Sequence, residues 1–394
     1  MANQNSSTVN PGDLDPSFAV DGKYDVPSGT GSVRSIVADG QGGFFLVAWV
    51  SRECWLYHIF QDGTQDLQFG QNGVSKWAFA SGVDSLPVQL LMQPDGKIIL
   101  IGLLGEDMSN RQPAFTRFNR NGSPDLIFEN HILPDRDVSG PSGCVQADGK
   151  ILLLAHRFKD GDTEKEETLL HRFEPNGDTD HKFGDSGSII VQFNDQKSKG
   201  VSVAVMDDGK ILVGGTVQRE NSIPTKALAR YFPLGGRDSS FGQSGYWEST
   251  SNNGMRKVIV HENNIFCVGY FGTPFRASIS KITGDGAYDP SFNDGKTLTV
   301  DIPADFPGYF VDCRSVAVQS DGCIVAGGNA GRTTKAFWLR VLPKGNLDRG
   351  FGDNGIARHD QDSYLFDLIV TNQRILAAVD AGAPRSPKIF GIQS

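Results

Sequence analysis

The feature that most constrains this chain is a tetrapeptide pattern, Asp-x-x-Phe, that returns seven times. It stands at Asp15/Phe18, Asp66/Phe69, Asp125/Phe128, Asp180/Phe183, Asp238/Phe241, Asp289/Phe292 and Asp348/Phe351, with successive Phe spacings of 51, 59, 55, 58, 51 and 59 residues. Repetition at such a period marks a solenoid or a propeller, whereas 394 residues taken alone would also allow two or three unlike domains.

A second column fixes the content of each unit. Asp95-Gly96-Lys97, Asp148-Gly149-Lys150, Asp208-Gly209-Lys210 and Asp321-Gly322-Cys323 each stand between two apolar runs, with diverged counterparts at Gln41-Gly42, Asn263-Asn264 and Asn372-Gln373. Asp-Gly between apolar runs predicts a β-hairpin. A third strand ends in an aromatic and a turn, as in Phe115 to Phe118 before Asn121-Gly122, and a fourth follows Phe-Gly, as in Ile189 to Val191. No helical periodicity intervenes. Four short antiparallel strands repeated radially make an all-β, seven-bladed β-propeller.

The ends of the chain are complementary. An unmatched fourth strand near Lys23 to Val26 opens it, and three strands near Leu365 to Val370, Arg374 to Val379 and Lys388 to Ile392 close it. Pairing the first with the last completes a seventh sheet and leaves no open edge, a Velcro closure by the N-terminal strand. Residues 1–11 then read as a disordered tail and residues 12–394 as one propeller domain.

The composite Val-x-x-Asp-Gly-Lys-Ile-Leu-Val-Gly-Gly, Ala-Leu-Ala-Arg-Tyr and Asp-x-x-Phe-Gly-x-x-Gly, clearest over Val203 to Gly245, resembles the bacterial delta-sixty repeat, a unit of propellers of mostly unknown function. The resemblance spans nearly the whole chain and implies no catalytic residues. Two units depart from it: Asp39 to Gly43 reads as a lengthened hairpin turn, and the unit at Phe128 lacks the glycines after its Phe.

Thirty-seven Lys and Arg against 46 Asp and Glu give a net charge of -9, which opposes a broad footprint on nucleic acid or an anionic membrane. Neither a secretory signal nor a long apolar run is visible, so the expected location is cytoplasmic. Five cysteines without a C-x-x-C pair give no disulfide framework or zinc knuckle, and the seven histidines lie scattered among the repeats. Nucleophile-elbow, zincin, Walker A and dinucleotide motifs are missing, so no cofactor, metal or catalytic residue is expected. The turns between third and fourth strands beginning at Asn119 and Glu174 and the acidic run from Asp160 to Glu167 supply too few correctly spaced oxygens for calcium.

The seven Asp residues of Asp-x-x-Phe, from Asp15 and Asp66 through Asp125, Asp180, Asp238, Asp289 and Asp348, are expected to be structural. An Asp that accepts hydrogen bonds from following backbone N–H groups would pin each turn, and the Phe would plug between blades.

One constellation points to binding. Seven residues before each hairpin turn stand Arg34, Val88, Pro141, Val201, Arg256, Arg314 and Leu365. On innermost strands this register brings Arg34, Arg256 and Arg314, with Lys257 beside them, to the mouth of the central channel. Convergent guanidinium groups bind carboxylate or phosphate, unless each pairs with an acid such as Asp312 or Asp367. The expected function is a non-enzymatic binding module for a protein partner or a small anionic ligand, with loops 105–112, 158–167 and 218–226 as a recognition surface. The alternative is a lyase or hydrolase working at the channel mouth.

Overall fold

Hydrogen bonding sorts the strands into seven antiparallel sheets of four. In the computed structural model, residues 9–394 are described except 108–110, 136–139, 159–165, 194–197, 219–223, 273–274, 304–309 and 333. The acidic run 160–165 and parts of the three recognition loops fall outside the described residues, as do residues 1–8 of the expected tail. Among the described residues no helix is long and apolar enough to cross a membrane.

Strands follow one another within a blade in sequence order, and the seventh blade is completed from the chain's start. Lys23–Asp25 pairs with Ser386–Gln393, with Tyr24 opposite Ile389. The closure begins upstream of that strand, because the Gly12 and Asp15 N–H groups donate to the Gln393 and Gly391 carbonyls at 2.9 and 2.8 Å. The N-terminal segment thereby serves as the last turn of blade seven as well as its outer strand.

The second strand of each blade has another sheet against both faces, so it is buried along its length, as in Ile98–Leu104 and Ile324–Ala330. Innermost lie Ser32–Ala38, Ser85–Met92, Ser142–Val145, Ser198–Val205, Asn253–His261, Val311–Val318 and Ser363–Val370, in blades one to seven. Each touches its counterpart in the neighbouring blades, the last meeting the first, which closes the ring around a channel.

The Asp-x-x-Phe turn is the clamp between blades. In all seven copies one Asp oxygen accepts the N–H two residues on, from 2.8 Å at Asp289 to 3.3 Å at Asp125. The other meets a basic side chain on the third strand, at 2.8 Å for Arg117–Asp125, Arg172–Asp180 and Arg230–Asp238, with Lys281, Arg340 and His58 in the same place. In the blade closed by both ends, Arg374 meets Asp15 at 3.4 Å from the second strand. Lys97 and Lys150 of the Asp-Gly-Lys hairpins add a second cation to Asp125 and Asp180. Each Phe is at most 2% exposed, and a guanidinium lies over its ring in five copies, Arg172 over Phe183 at 4.6 Å among them. The same arginine reaches the next blade: Arg117 Nη1 donates to the Pro175 carbonyl at 2.6 Å. Glycine is required where the next blade's turn covers the ring, since a Cβ at Gly122 would stand 2.7 Å from Phe69.

Two details differ from the sequence expectation. The turn at Asp39 to Gly43 is not lengthened: Ala38 pairs with Phe44 across the same five residues that separate Met92 from Ile98. The odd turns are shorter ones, in blades five and seven, where Val260 pairs with Ile265 and Val370 with Ile375. In the unit at Phe128, Glu129 takes the left-handed backbone (φ 59°) that Gly70, Gly184, Gly242 and Gly352 take in four other units, as Ala19 and Asn293 do in theirs.

Candidate functional site

The site is produced by a backbone irregularity. In six inner strands the pairing slips by one residue: at Arg34, Val88, Val201, Arg256, Arg314 and Phe366, each the extra residue of a β-bulge. A bulge leaves its extra residue unpaired and re-aims its side chain. In blade three Pro141 holds the equivalent place, just before its strand. Glycine in the second strand makes the room: a Cβ at Gly328 would lie 1.9 Å from the Asp312 carbonyl oxygen, and at Gly269 2.0 Å from that of Gly254. In blades one and seven, whose second strands hold no glycine, Ala48 and Val379 stand at that place and the bulge forms as well.

These residues line a central channel of about 1340 Å³. The seventh equivalent is Phe366 and not Leu365, which is fully buried, because the two-residue hairpin of blade seven moves the register by one. Among the described residues seven basic side chains line the channel, against two carboxylates, Asp367 and Asp380. In a chain of net charge -9 this is a local reversal of sign.

Two of the three arginines converge on an acid. Arg256 Nε donates to Asp312 Oδ1 at 2.6 Å, and Arg314 Nε lies 3.2 Å from Oδ2 of the same carboxylate, which is 0% exposed. Two guanidinium groups thus share one negative charge. Burial works to lower the Arg256 pKa, and Asp312 outweighs it, so the net shift is upward. Lys257 turns to a different group: Nζ donates to Asp367 Oδ1 at 2.9 Å and to Ser315 Oγ at 3.0 Å.

Arg34 has no such counterion. Among the described residues no carboxylate lies within ion-pair distance of it, and its Nε is buried without a hydrogen-bond partner. The guanidinium sits over the Phe366 ring, 4.5 Å from its centre. Burial pulls the Arg34 pKa below its ordinary value; Arg314 and Arg111 act the same way, and Asp380 and Tyr364 oppose them. Asp380 is itself engaged, accepting from Ser32 Oγ at 2.6 Å and the Val33 N–H at 2.9 Å, and burial raises its pKa. Arg111, Arg34, Arg314 and Arg256 therefore form an arc, from blades two, one, six and five, with blade seven contributing Tyr364 and Phe366 between them.

Sequence reasoning located Arg34, Arg256, Arg314 and Lys257 at the channel. It missed Arg111, which lies between strands outside the repeat pattern, and the rings Tyr270, Tyr364 and Phe366. Among the described residues no group of three or more His, Cys, Asp or Glu is placed to hold a metal ion.

Residues 93–128 and 207–241 match the model of a domain of unknown function (DUF5122) described as a beta-propeller. A search of the curated proteins finds no match. Solved structures give the fold. A catalytically inactive virginiamycin B lyase from Staphylococcus aureus with quinupristin is 12% identical over 93% of this chain and 98% of that one, with a TM-score of 0.53. Drosophila Semaphorin 2a is 8% identical over 98% and 76%, with a TM-score of 0.55. A puromycin hydrolase is 13% identical over 95% and 53%, with a TM-score of 0.51. At these identities the likeness is one of fold alone, and it extends to a lyase, a hydrolase and a semaphorin.

Proposed function

We propose that this β-propeller is a non-enzymatic binding module whose ligand is a small anion, held at the mouth of the central channel by the arc of Arg34, Arg314 and Arg256. The observation that carries the reading is Arg34. A guanidinium group partly removed from water, with no carboxylate within ion-pair distance among the described residues and with Arg314 and Arg111 nearby, is costly, and an anion that accepts its hydrogen bonds offsets that cost. Asp312 holds Arg256 and Arg314 in place while leaving the arc under-neutralised, and the planar fork of each guanidinium suits carboxylate or phosphate. Lys257, turned to Asp367, takes no direct part.

Thermal unfolding in low salt against acetate, citrate, sulfate and phosphate tests the reading. A ligand present at 100 times its Kd adds ~2.7 kcal/mol of stability. The expected result is a raised melting temperature with at least one anion, lost in Arg34→Ala and reduced in high salt, because added ions screen and compete. If no anion shifts the melt, or if Arg34→Ala keeps the whole shift, the site is not an anion site.

A further inference from the structure

The arc differs in its surroundings from end to end. Each bulge arginine lies over a ring: Arg34 over Phe366, Arg314 over Tyr364 at 4.9 Å, and Arg256 over Tyr270 at 5.2 Å. Tyr364 and Phe366 are packed on one another, 4.7 Å between centres, so at that end the rings are used up within the protein. At the Arg256 end they are not. Tyr270 leads outward to Phe275 at 6.3 Å, and Phe275 to Phe310 at 6.4 Å, with the planes tilted by 60° and 56°.

Phe275 and Phe310 are 38% and 39% exposed. Their backbones are anchored: Phe275 directly precedes the strand Arg276–Ile282, and the Phe310 carbonyl accepts the Gly331 N–H at 3.0 Å. Blades five and six thus present two rings side by side at the rim, next to the arginine pair that shares Asp312. Ring separations of 4.5 to 7 Å in tilted arrangements are those in which aromatic groups attract one another, and a third ring can join on the same terms.

Charge alone is a modest handle here. Among the described residues every cation of the arc except Arg34 has a carboxylate within ion-pair distance, Arg111 having Asp84 at 3.5 Å. A compact, strongly hydrated anion would surrender much of its water for a small surplus of positive charge, whereas an apolar group on the same ligand would gain from burial on the ledge. Resting on the anion reading above, we propose that the ligand is an anion carrying an aromatic ring, its carboxylate or phosphate in the arginine arc and its ring on Phe275 and Phe310.

Calorimetric titration of the full chain in low salt with four probes tests this: inorganic phosphate and phenyl phosphate, acetate and benzoate. Phenyl phosphate is expected to bind at least tenfold more tightly than inorganic phosphate, and benzoate than acetate. The double variant Phe275→Ala/Phe310→Ala alters exposed side chains, so it should melt with the wild type. It should bring each ratio to within twofold of one and leave phosphate affinity unchanged. Arg34→Ala should weaken both members of each pair. Equal binding of the aryl and simple anions by the wild type, or a ratio that survives in the double variant, would overturn the aromatic ligand while the anion site stood. Failure of all four probes to bind would remove both.

Discussion

The Asp-x-x-Phe turns and the bulge positions are both sevenfold, yet they behave in opposite ways. At the turns every blade repeats one solution: Asp pins its own loop, holds a basic side chain and buries a Phe against the next blade. At the bulges the backbone repeats while the side chains diverge, from Arg34, Arg256 and Arg314 to Val88, Val201, Pro141 and Phe366. A feature that must serve each interface of a ring has to recur in each blade. A ligand site on the axis needs only a few blades, so the others are released to vary.

The largest expected effect is on the closure that both regions depend on. Deleting residues 1–26 removes the strand that pairs with Ser386–Gln393 and the turn that packs on Phe351, and the protein should aggregate or melt far below the intact chain. Deleting residues 1–9 should leave the melt nearly unchanged. An unaltered melt after the longer deletion would show that the ring closes without its N-terminal strand.

Next comes the plug. Phe183→Ala should cost ~3–5 kcal/mol in chemical denaturation through lost burial and a cavity between blades three and four, with no change in anion binding. A loss below ~0.5 kcal/mol would place the Phe column at the surface.

Lys226 sharpens the comparison from a third direction. Like Arg34 it is a desolvated cation without a carboxylate among the described residues, but it is fully buried, and Nζ meets the Ser278 and Cys267 carbonyls at 3.2 and 3.4 Å. Burial pushes its pKa down to about 8 from 10.5. Below pH 8 the folded state carries the full cost of the charge; as pH rises from 8 to 10.5 the folded state is already neutral, so stability climbs, by ~3 kcal/mol in all. Lys226→Met should raise stability at pH 7 and flatten that climb, as read by denaturant midpoints across the range. If the climb persists in the variant, another group is responsible.

The turn carboxylates carry the same pH sign for the opposite reason: their folded pKa values are lowered as well, but because the charged form is favoured rather than the cation penalised. Burial alone would raise the carboxyls of Asp125, Asp180, Asp238 and Asp289, but their cations and hydrogen bonds outweigh it and hold them below the usual range. Their contribution is present above the ordinary carboxylate pKa and is lost as pH falls through the lower folded values. Asp180→Asn should cost ~2 kcal/mol at pH 7, the scale of a hydrogen bond to a charged group, and the deficit should shrink on acidification as the wild type is protonated too. A deficit independent of pH would mean that the side chain acts through shape alone.

The smallest effect belongs to the bulge positions outside the arc. Val88→Ala changes a partly exposed side chain lining the channel and should stay within ~0.5 kcal/mol of wild type. A large loss would make the inner face as constrained as the outer turns and dissolve the contrast.

The repeat and the local structures of each blade are legible in the chain alone. Asp-Gly between apolar runs dictates a hairpin, Asp-x-x-Phe a pinned turn, and the unmatched strands at the two ends a closed ring, because each rests on backbone preferences and on edges that must pair. The same register brings Arg34, Arg256 and Arg314 to the axis, since it places equivalent residues at one height. The remaining features are decided between blades. Whether Arg256 and Arg314 hold separate acids or share Asp312 depends on two sheets meeting, Arg256 reaching across at 2.6 Å to the carboxylate that already has Arg314 of its own strand at 3.2 Å, and that Phe366 rather than Leu365 faces the channel depends on a hairpin one residue shorter. Arg111 and the Phe275 and Phe310 rings join the mouth through the path of the chain between strands, which no period governs. Local rules fix the blade; the site is a property of the ring, because charge, burial and distance across an axis exist only once seven blades surround it.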